Sequence, residues 1–194
     1  MAIDPISESL KRLVTYFDTR KIPYVVVGGV SVFILGRSRL TMDIDIILDH
    51  ARIDRKDFIT YLQKNNFDAT LDDLIGFDEK SHCSFFYKKG MFRIDIKGAY
   101  SELERESIKM AITGIYNDIK LKIDNPMNLI LFKLKYGSEQ DYEDALAVYI
   151  RNQEKIDHEF MEEKAKKINI KEKLDSFLEI TKDFLEGEKA KEHN

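Results

Sequence analysis

The chain has 194 residues, with 31 lysines and arginines against 35 aspartates and glutamates, a formal net charge of −4, and 43% hydrophobic and 34% charged residues. That is a soluble globular composition, long enough to bury a core as one domain or one domain with a helical appendage. The lack of basic excess argues against a protein that coats nucleic acid non-specifically. The single cysteine, Cys83, excludes an internal disulfide framework, suits a reducing cytoplasm and reads as a buried strand residue. The longest apolar run, Val25 to Leu35, is too short to span a bilayer. The scattered charges of residues 1–13 do not read as a secretory leader.

In chain order, Asp4-Pro5 reads as a helix cap and first helical position. Ile6, Leu10, Leu13, Val14 and Phe17 then share one face of a helix reaching about Arg20. Ile22-Pro23 leads into Tyr24-Val25-Val26-Val27, a β-branched run suited to a buried strand. Gly28-Gly29 breaks that run. Val30 to Leu35 leaves room for under two helical turns, and Gly36 is a natural stop. Asp43 to Leu48 resumes as a strand.

In a strand, residues i and i+2 point the same way, so Asp43 and Asp45 project together while Ile44, Ile46 and Leu48 face the opposite side. Two adjacent carboxylates repel unless a cation lies between them, and a divalent metal ion is the usual one. Mg²⁺ favours few carboxylates plus phosphate oxygens, which makes a nucleotide the natural third party. A glycine turn opening a helix fits this, because its backbone N–H groups can approach a phosphate closely. Ser31, in the first turn, has two readings: a phosphate ligand or a local backbone hydrogen bond. Arg37 and Arg39 precede the carboxylates.

Asp54 caps the next helix, with Phe58, Ile59, Tyr61 and Leu62 as its apolar face and Asn65-Asn66 as its end. Residues 67–80 are ambiguous: Leu71, Leu74 and Ile75 suggest one helical turn, and the surrounding acids read as solvated surface. Residues 82–97 read as a hairpin with arms Ser84–Lys88 and Met91–Lys97 about a Lys89-Gly90 turn. Phe92, Ile94 and Ile96 share one face; Arg93, Asp95 and Lys97 share the other. His82 lies near enough to approach the polar face, although a lone histidine is more often structural. Tyr100 to Gly114 reads as a helix or lid, and Ile119 to Ile123 as a last strand. Asp124-Asn125-Pro126 opens a helix through Met127, Ile130, Leu131 and Leu134, closed by Gly137. Ser138 caps another, with Asp141 at its third position and Tyr142, Ala145, Leu146 and Tyr149 as its inner face. Residues 156–186 suggest one or two further helices.

The stretch Tyr24 to Leu48, with thirteen residues between Gly29 and Asp43, resembles the signature of the nucleotidyltransferase superfamily typified by DNA polymerase β. That signature is an apolar strand, a glycine turn, a spacer, Asp-x-Asp on the next strand, and a third carboxylate on a later one. More narrowly, Gly28-Gly29-x-Ser31 and Gly36-x-x-Arg39-x-Thr41-x-Asp43-x-Asp45 resemble the small branch that includes AbiEii-like toxins.

The resemblance implies an α+β nucleotidyltransferase fold, a mixed sheet flanked by helices. It implies a catalytic core over residues 1–123, a C-terminal helical region over 124–186 packed on that core, and a charged, disordered tail over 187–194. Asp43, Asp45 and Asp95 become metal ligands and catalytic groups for two Mg²⁺ ions, with Mn²⁺ as a substitute. Gly28, Gly29 and Ser31 become phosphate contacts, Arg39 a phosphate or structural group, and Thr41 a brace for the loop. A lysine (Lys133 or Lys135, with Lys135 chosen) and Asp141 become companions of the site from the helical region. The implied activity moves a nucleoside monophosphate from a nucleoside triphosphate such as ATP to a hydroxyl, releasing pyrophosphate. The acceptor is tRNA or a protein, as in a toxin with an antitoxin partner. The alternatives are a small-molecule, antibiotic-type transferase or a non-catalytic nucleotide-binding scaffold. Pairing of two copies through the C-terminal helices is compatible with each. No residue pattern selects among ATP, CTP, GTP and UTP.

Overall fold

The computed structural model describes residues 4–41, 43–88 and 92–192, with side chains through 187. Helix α1, Pro5–Thr19, starts where Asp4 accepts the Ser7 amide and buries Leu10, Leu13, Val14 and Phe17. Strand β1 (Tyr24–Val27) runs directly into α2 (Gly28–Leu35), followed by β2 (Asp43–Leu48) and α3 (Arg55–Lys64), which Asp54 caps. Asn66, at positive φ, turns the chain into the two-residue strand β3 (Phe67–Asp68). The ambiguous stretch thus resolves into β3 and a short 3₁₀ turn, Asp72–Phe77. Strands β4 (His82–Tyr87) and β5 (Phe92–Gly98) are the expected hairpin arms; the Lys89-Gly90 turn lies outside the described residues.

The reading of Tyr100 to Gly114 as one helix or lid needs correction. Helix α4 occupies only Glu102–Lys109, opened by a Ser101–Glu104 capping box, and strand β6 follows at Ile112–Tyr116. It pairs with β7 (Ile119–Ile123) through Asn117-Asp118, both at positive φ. Such a turn favours the twist of a hairpin, and Asn and Asp tolerate it better than other non-glycine residues.

The seven strands form one mixed sheet, in order β3-β4-β5-β2-β1-β7-β6. The β1–β7 and β2–β5 pairs are parallel and the others antiparallel. One face is apolar. Ile44, Ile46 and Leu48 of β2, Phe85 of β4, and Ile94 and Ile96 of β5 are almost wholly buried there. Phe58 of α3 meets Phe85 at 6.4 Å between ring centroids and Phe17 of α1 at 6.1 Å. Burial of this kind contributes about 25 cal/mol per Å² of apolar surface removed from water and fixes the register of each strand. The opposite face carries the polar members of the same strands.

The chain divides into two compact units, Met1–Ile34 with Ser38–Asn125, and Leu35–Arg37 with Pro126–Asn194. The second contains helices α5 (Pro126–Tyr136), α6 (Glu139–Asn152), α7 (His158–Lys167) and α8 (Lys171–Glu192). Helix α8 continues through residues 187–192, part of the stretch expected as a tail. Gly137, at φ +74°, ends α5, and a Ser138–Asp141 capping box opens α6. The buried positions of α6 are Asp144, Ala145, Val148 and Asn152, so the stripe is rotated from the expected Tyr142–Tyr149 set. It turns toward a buried ion cluster. Lys133 Nζ lies 2.8 Å from Asp141 and 3.0 Å from Asp144, and Arg37 reaches Asp144 at 3.0 Å and Glu143 at 2.7 Å. Among the described residues, no helix is long and apolar enough to cross a membrane.

Candidate active site

The polar face of the sheet is ordered in rows, because residues paired across neighbouring strands project to the same side. Pairing of Asp45 with Asp95 in the parallel β2–β5 ladder, and of Ser84 with Asp95, puts Ser84, Asp95 and Asp45 in one row, with Val27 beyond. The next row holds Phe86, Arg93 and Asp43, and a third holds His82, Lys97 and Ile47. The two carboxylates of β2 and the one of β5 therefore meet: a carboxylate oxygen of each lies within 4.8 Å of those of the others.

Each carboxylate has defined company. Thr41 donates its hydroxyl to Asp43 Oδ1 at 3.0 Å. Asp95, 7% exposed, accepts the Ser84 hydroxyl at 2.6 Å and the Arg93 Nε–H at 2.8 Å. Arg93 Nη2 lies 3.7 Å from Asp43, so one guanidinium spans two of the three acids. The sequence reading placed Arg93 on this face but gave it no role. The signal was the i, i+2 spacing of Arg93 and Asp95, the same rule that joined Asp43 to Asp45.

The glycines sit against this cluster. Gly28 has φ +61°, and a Cβ on it would come within 2.1 Å of Asp45 Oδ2. A Cβ on Gly29 would meet Thr41 Oγ1 at 2.4 Å and Arg39 Nη2 at 3.0 Å. The loop before β2 is thus pressed onto the start of α2, whose first-turn amides have no intrahelical acceptors and carry the positive end of the helix dipole. Arg39 and Thr41 also line a pocket of about 360 Å³ with Val30, Phe33 and Tyr116.

Ser31 falls elsewhere. It is fully buried and donates to the Val26 carbonyl at 2.7 Å, locking α2 to β1 rather than presenting a hydroxyl to a ligand. Its small side chain fits where the helix crosses the strand, and the local backbone bond satisfies it there. His82 stands exposed two residues along β4 from Ser84. Lys133 and Asp141 pair with each other inside the second unit, while Lys135 is exposed there. In Asp141, burial raises the carboxyl pKa, but the Lys133 and Ser138 contacts outweigh it and hold the value below the ordinary range.

Hard oxygen donors in this number suit Mg²⁺ or Mn²⁺, so the three carboxylates fit a divalent ion. Beside them lies the α2 N-terminus, the positive end of the helix dipole.

No protein-family model matches the chain, and no curated protein does. Solved structures with similar architecture include a nucleotidyltransferase-like antigenic protein of Paracoccidioides brasiliensis, at 19% identity and TM-score 0.51 over 73% of this chain and 74% of that one. The crystal structure of ANT(2'')-Ia in complex with adenylyl-2''-tobramycin aligns at 16% identity and TM-score 0.52 over 75% of this chain and 88% of that one. The solution structure of ANT(2'')-Ia, an antibiotic-resistance factor, aligns at 14% identity and TM-score 0.54 over 99% and 100%. The fold is the α+β fold of nucleotidyltransferases.

Proposed function

We propose that the protein is a nucleotidyltransferase that moves a nucleoside monophosphate from a nucleoside triphosphate to an acceptor hydroxyl. The observation that carries this is the convergence of Asp43, Asp45 and Asp95 beside the positive-φ Gly28, on a fold shared with nucleotidyltransferases. Asp43, Asp45 and Asp95 would hold the metal, Mg²⁺ in the first instance, which when bound supplies charge neutralisation at the phosphates. The amides of Gly28 and Gly29 would orient the β- and γ-phosphates, with Arg39 beside them. Asp95 belongs to β5, on the side of the cluster away from these glycines, and would be the carboxylate that takes the acceptor's proton. The acceptor oxygen forms a phosphoester bond to the α-phosphorus, the α–β phosphoanhydride bond breaks, and pyrophosphate leaves with the bonding pair. Such transfers depend mainly on positioning and electrostatics, which is what a rigid sheet face supplies.

The test is a transfer assay with Mg²⁺ and each α-labelled nucleoside triphosphate, offered total RNA, cell protein or aminoglycosides. Unmutated protein is expected to label one acceptor class. Asp43→Asn and Asp45→Asn should abolish labelling without lowering the thermal midpoint by more than a few degrees. Full labelling by either variant would remove that carboxylate from the reaction. On this reading the toxin-like branch, with an antitoxin partner, becomes a question of acceptor and regulation, not of chemistry.

A further inference from the structure

The row beside the carboxylates holds a side chain that folding does not explain. Phe86 lies on the polar face of β4, opposite Arg93, and is 52% exposed. Its neighbours in β4, Phe85 and Tyr87, point into the core and are almost wholly buried. Arg93, between Phe86 and Asp43, has a side chain 51% exposed. Across the sheet the order is therefore aromatic ring, guanidinium, carboxylates, glycine turn. The glycine turn, on the β1 side, is the triphosphate side under the reading above, so the β4 side is left for the acceptor.

We propose that Phe86 and Arg93 form the acceptor subsite, and that it takes the terminal nucleotide of a single-stranded polynucleotide. The base lies on the Phe86 ring, a phosphate pairs with Arg93, and the terminal hydroxyl is directed toward Asp95. This inference rests on the proposed nucleotidyl transfer and adds the chemistry of its acceptor. A half-exposed aromatic ring offers a stacking surface that any base can use. A guanidinium offers paired donors that match a phosphate. In the free protein Arg93 is paired with Asp95 and Asp43; when these acids are committed to a metal cation, the arginine needs another anion, and a polynucleotide brings one. A polycationic aminosugar would face the opposite demand, since Arg93 repels it and Phe86 offers it no anion. Farther along the row, the acid Asp68 of β3 is accompanied by Lys88 at 3.8 Å, so the outer rim is not an acidic pocket either.

The test uses the full chain with Mg²⁺ and a nucleoside triphosphate whose α–β bridge is not cleavable. The probes are a 5′-labelled single-stranded 12-nucleotide RNA, the same sequence as DNA, AMP, and tobramycin. The chain contains no tryptophan, so Phe86→Trp places a single indole on this face. Its emission is expected to be quenched by the RNA or DNA and not by tobramycin. Phe86→Ala is expected to weaken oligonucleotide affinity roughly tenfold while triphosphate affinity stays within twofold. Arg93→Gln should lower the slope of log K against log salt by about 0.7, one phosphate contact on a single strand. Unchanged oligonucleotide affinity in Phe86→Ala overturns the proposal. So does quenching of Phe86→Trp by tobramycin in preference to RNA, or by AMP as tightly as by the oligonucleotide. Each of these, with Mg²⁺-dependent triphosphate binding intact in the unmutated protein, leaves the proposed reaction standing. Absence of triphosphate binding would overturn both.

Discussion

Replacing Gly28 by alanine tests the link between backbone and site. Gly28 stands at φ +61°, where an L-residue pays about 1–2 kcal/mol. For a chain of this length that corresponds to a fall of about 2–8 °C in thermal midpoint. The larger effect is steric. The new methyl would lie 2.1 Å from Asp45 Oδ2, about 1 Å or more inside van der Waals contact. The carboxylate, at the end of a rotatable side chain, is the group that yields. A displacement of that size in a group positioning a metal is expected to weaken metal affinity by roughly 10- to 100-fold and transfer by about 10²-fold. Mn²⁺ binding, followed by calorimetry or by loss of the free-ion paramagnetic signal, reads the first, and thermal unfolding of the same sample reads the second cost separately. Gly187→Ala is the control: nothing lies within 4 Å of a Cβ there, and an exposed helix position gains up to about 1 kcal/mol from alanine. A Gly28→Ala protein that folds and binds Mn²⁺ as tightly as the unmutated chain would refute the argument that this glycine exists to admit Asp45.

Three further outcomes follow from other parts of the molecule. Cys83 is buried, and burial pushes its thiol up to about 11; it should stay unmodified by iodoacetamide at neutral pH in the folded protein and react within minutes once denaturant is added. Lys133→Met removes a cation 3.0 Å from the fully buried Asp144 and should cost about 3 kcal/mol, seen as a lower denaturant midpoint; a change below about 1 kcal/mol would show the cluster to be tolerant of the loss. For Glu104, burial raises the pKa, but the Lys97 ion pair and the Ser101 amide and hydroxyl outweigh it, and the folded value is depressed. Its contribution is therefore present above the unfolded glutamate value of 4.5 and lost as pH falls through the lower folded value. Glu104→Gln should flatten the acid limb of stability below about pH 4.5, and an unchanged limb would place the acid sensitivity elsewhere.

The sequence carried the site because strand alternation is a local rule. Asp43, Asp45 and Asp95 could each be assigned to a polar face from their own neighbours, and Gly28 announced a turn by breaking a β-branched run. Helix starts were equally legible at Asp4, Asp54 and Ser138, each a side chain that satisfies an amide three residues on. What was not legible depended on partners distant in sequence. Strand β6 carries Gly114 at a buried position and isoleucines at exposed ones, so nothing in its pattern separated it from a helix or lid until β7 paired with it. Ser31 had two acceptors to choose between, and only the path of α2 over β1 decided for Val26. Arg93 gained meaning from the parallel register that sets it opposite Asp43, a fact no local window contains.

That register has a consequence for how the protein can fail. The pairing that brings Asp45 beside Asp95 is the same pairing that buries Ile44, Ile46, Ile94 and Ile96 on the reverse side. Sliding either strand by one residue would drive carboxylates into the core and turn the isoleucines out to water. A one-residue slip therefore loses the carboxylate cluster and the packed core together. Assembly of the hydrophobic layer on one face thus sets which carboxylates meet on the other.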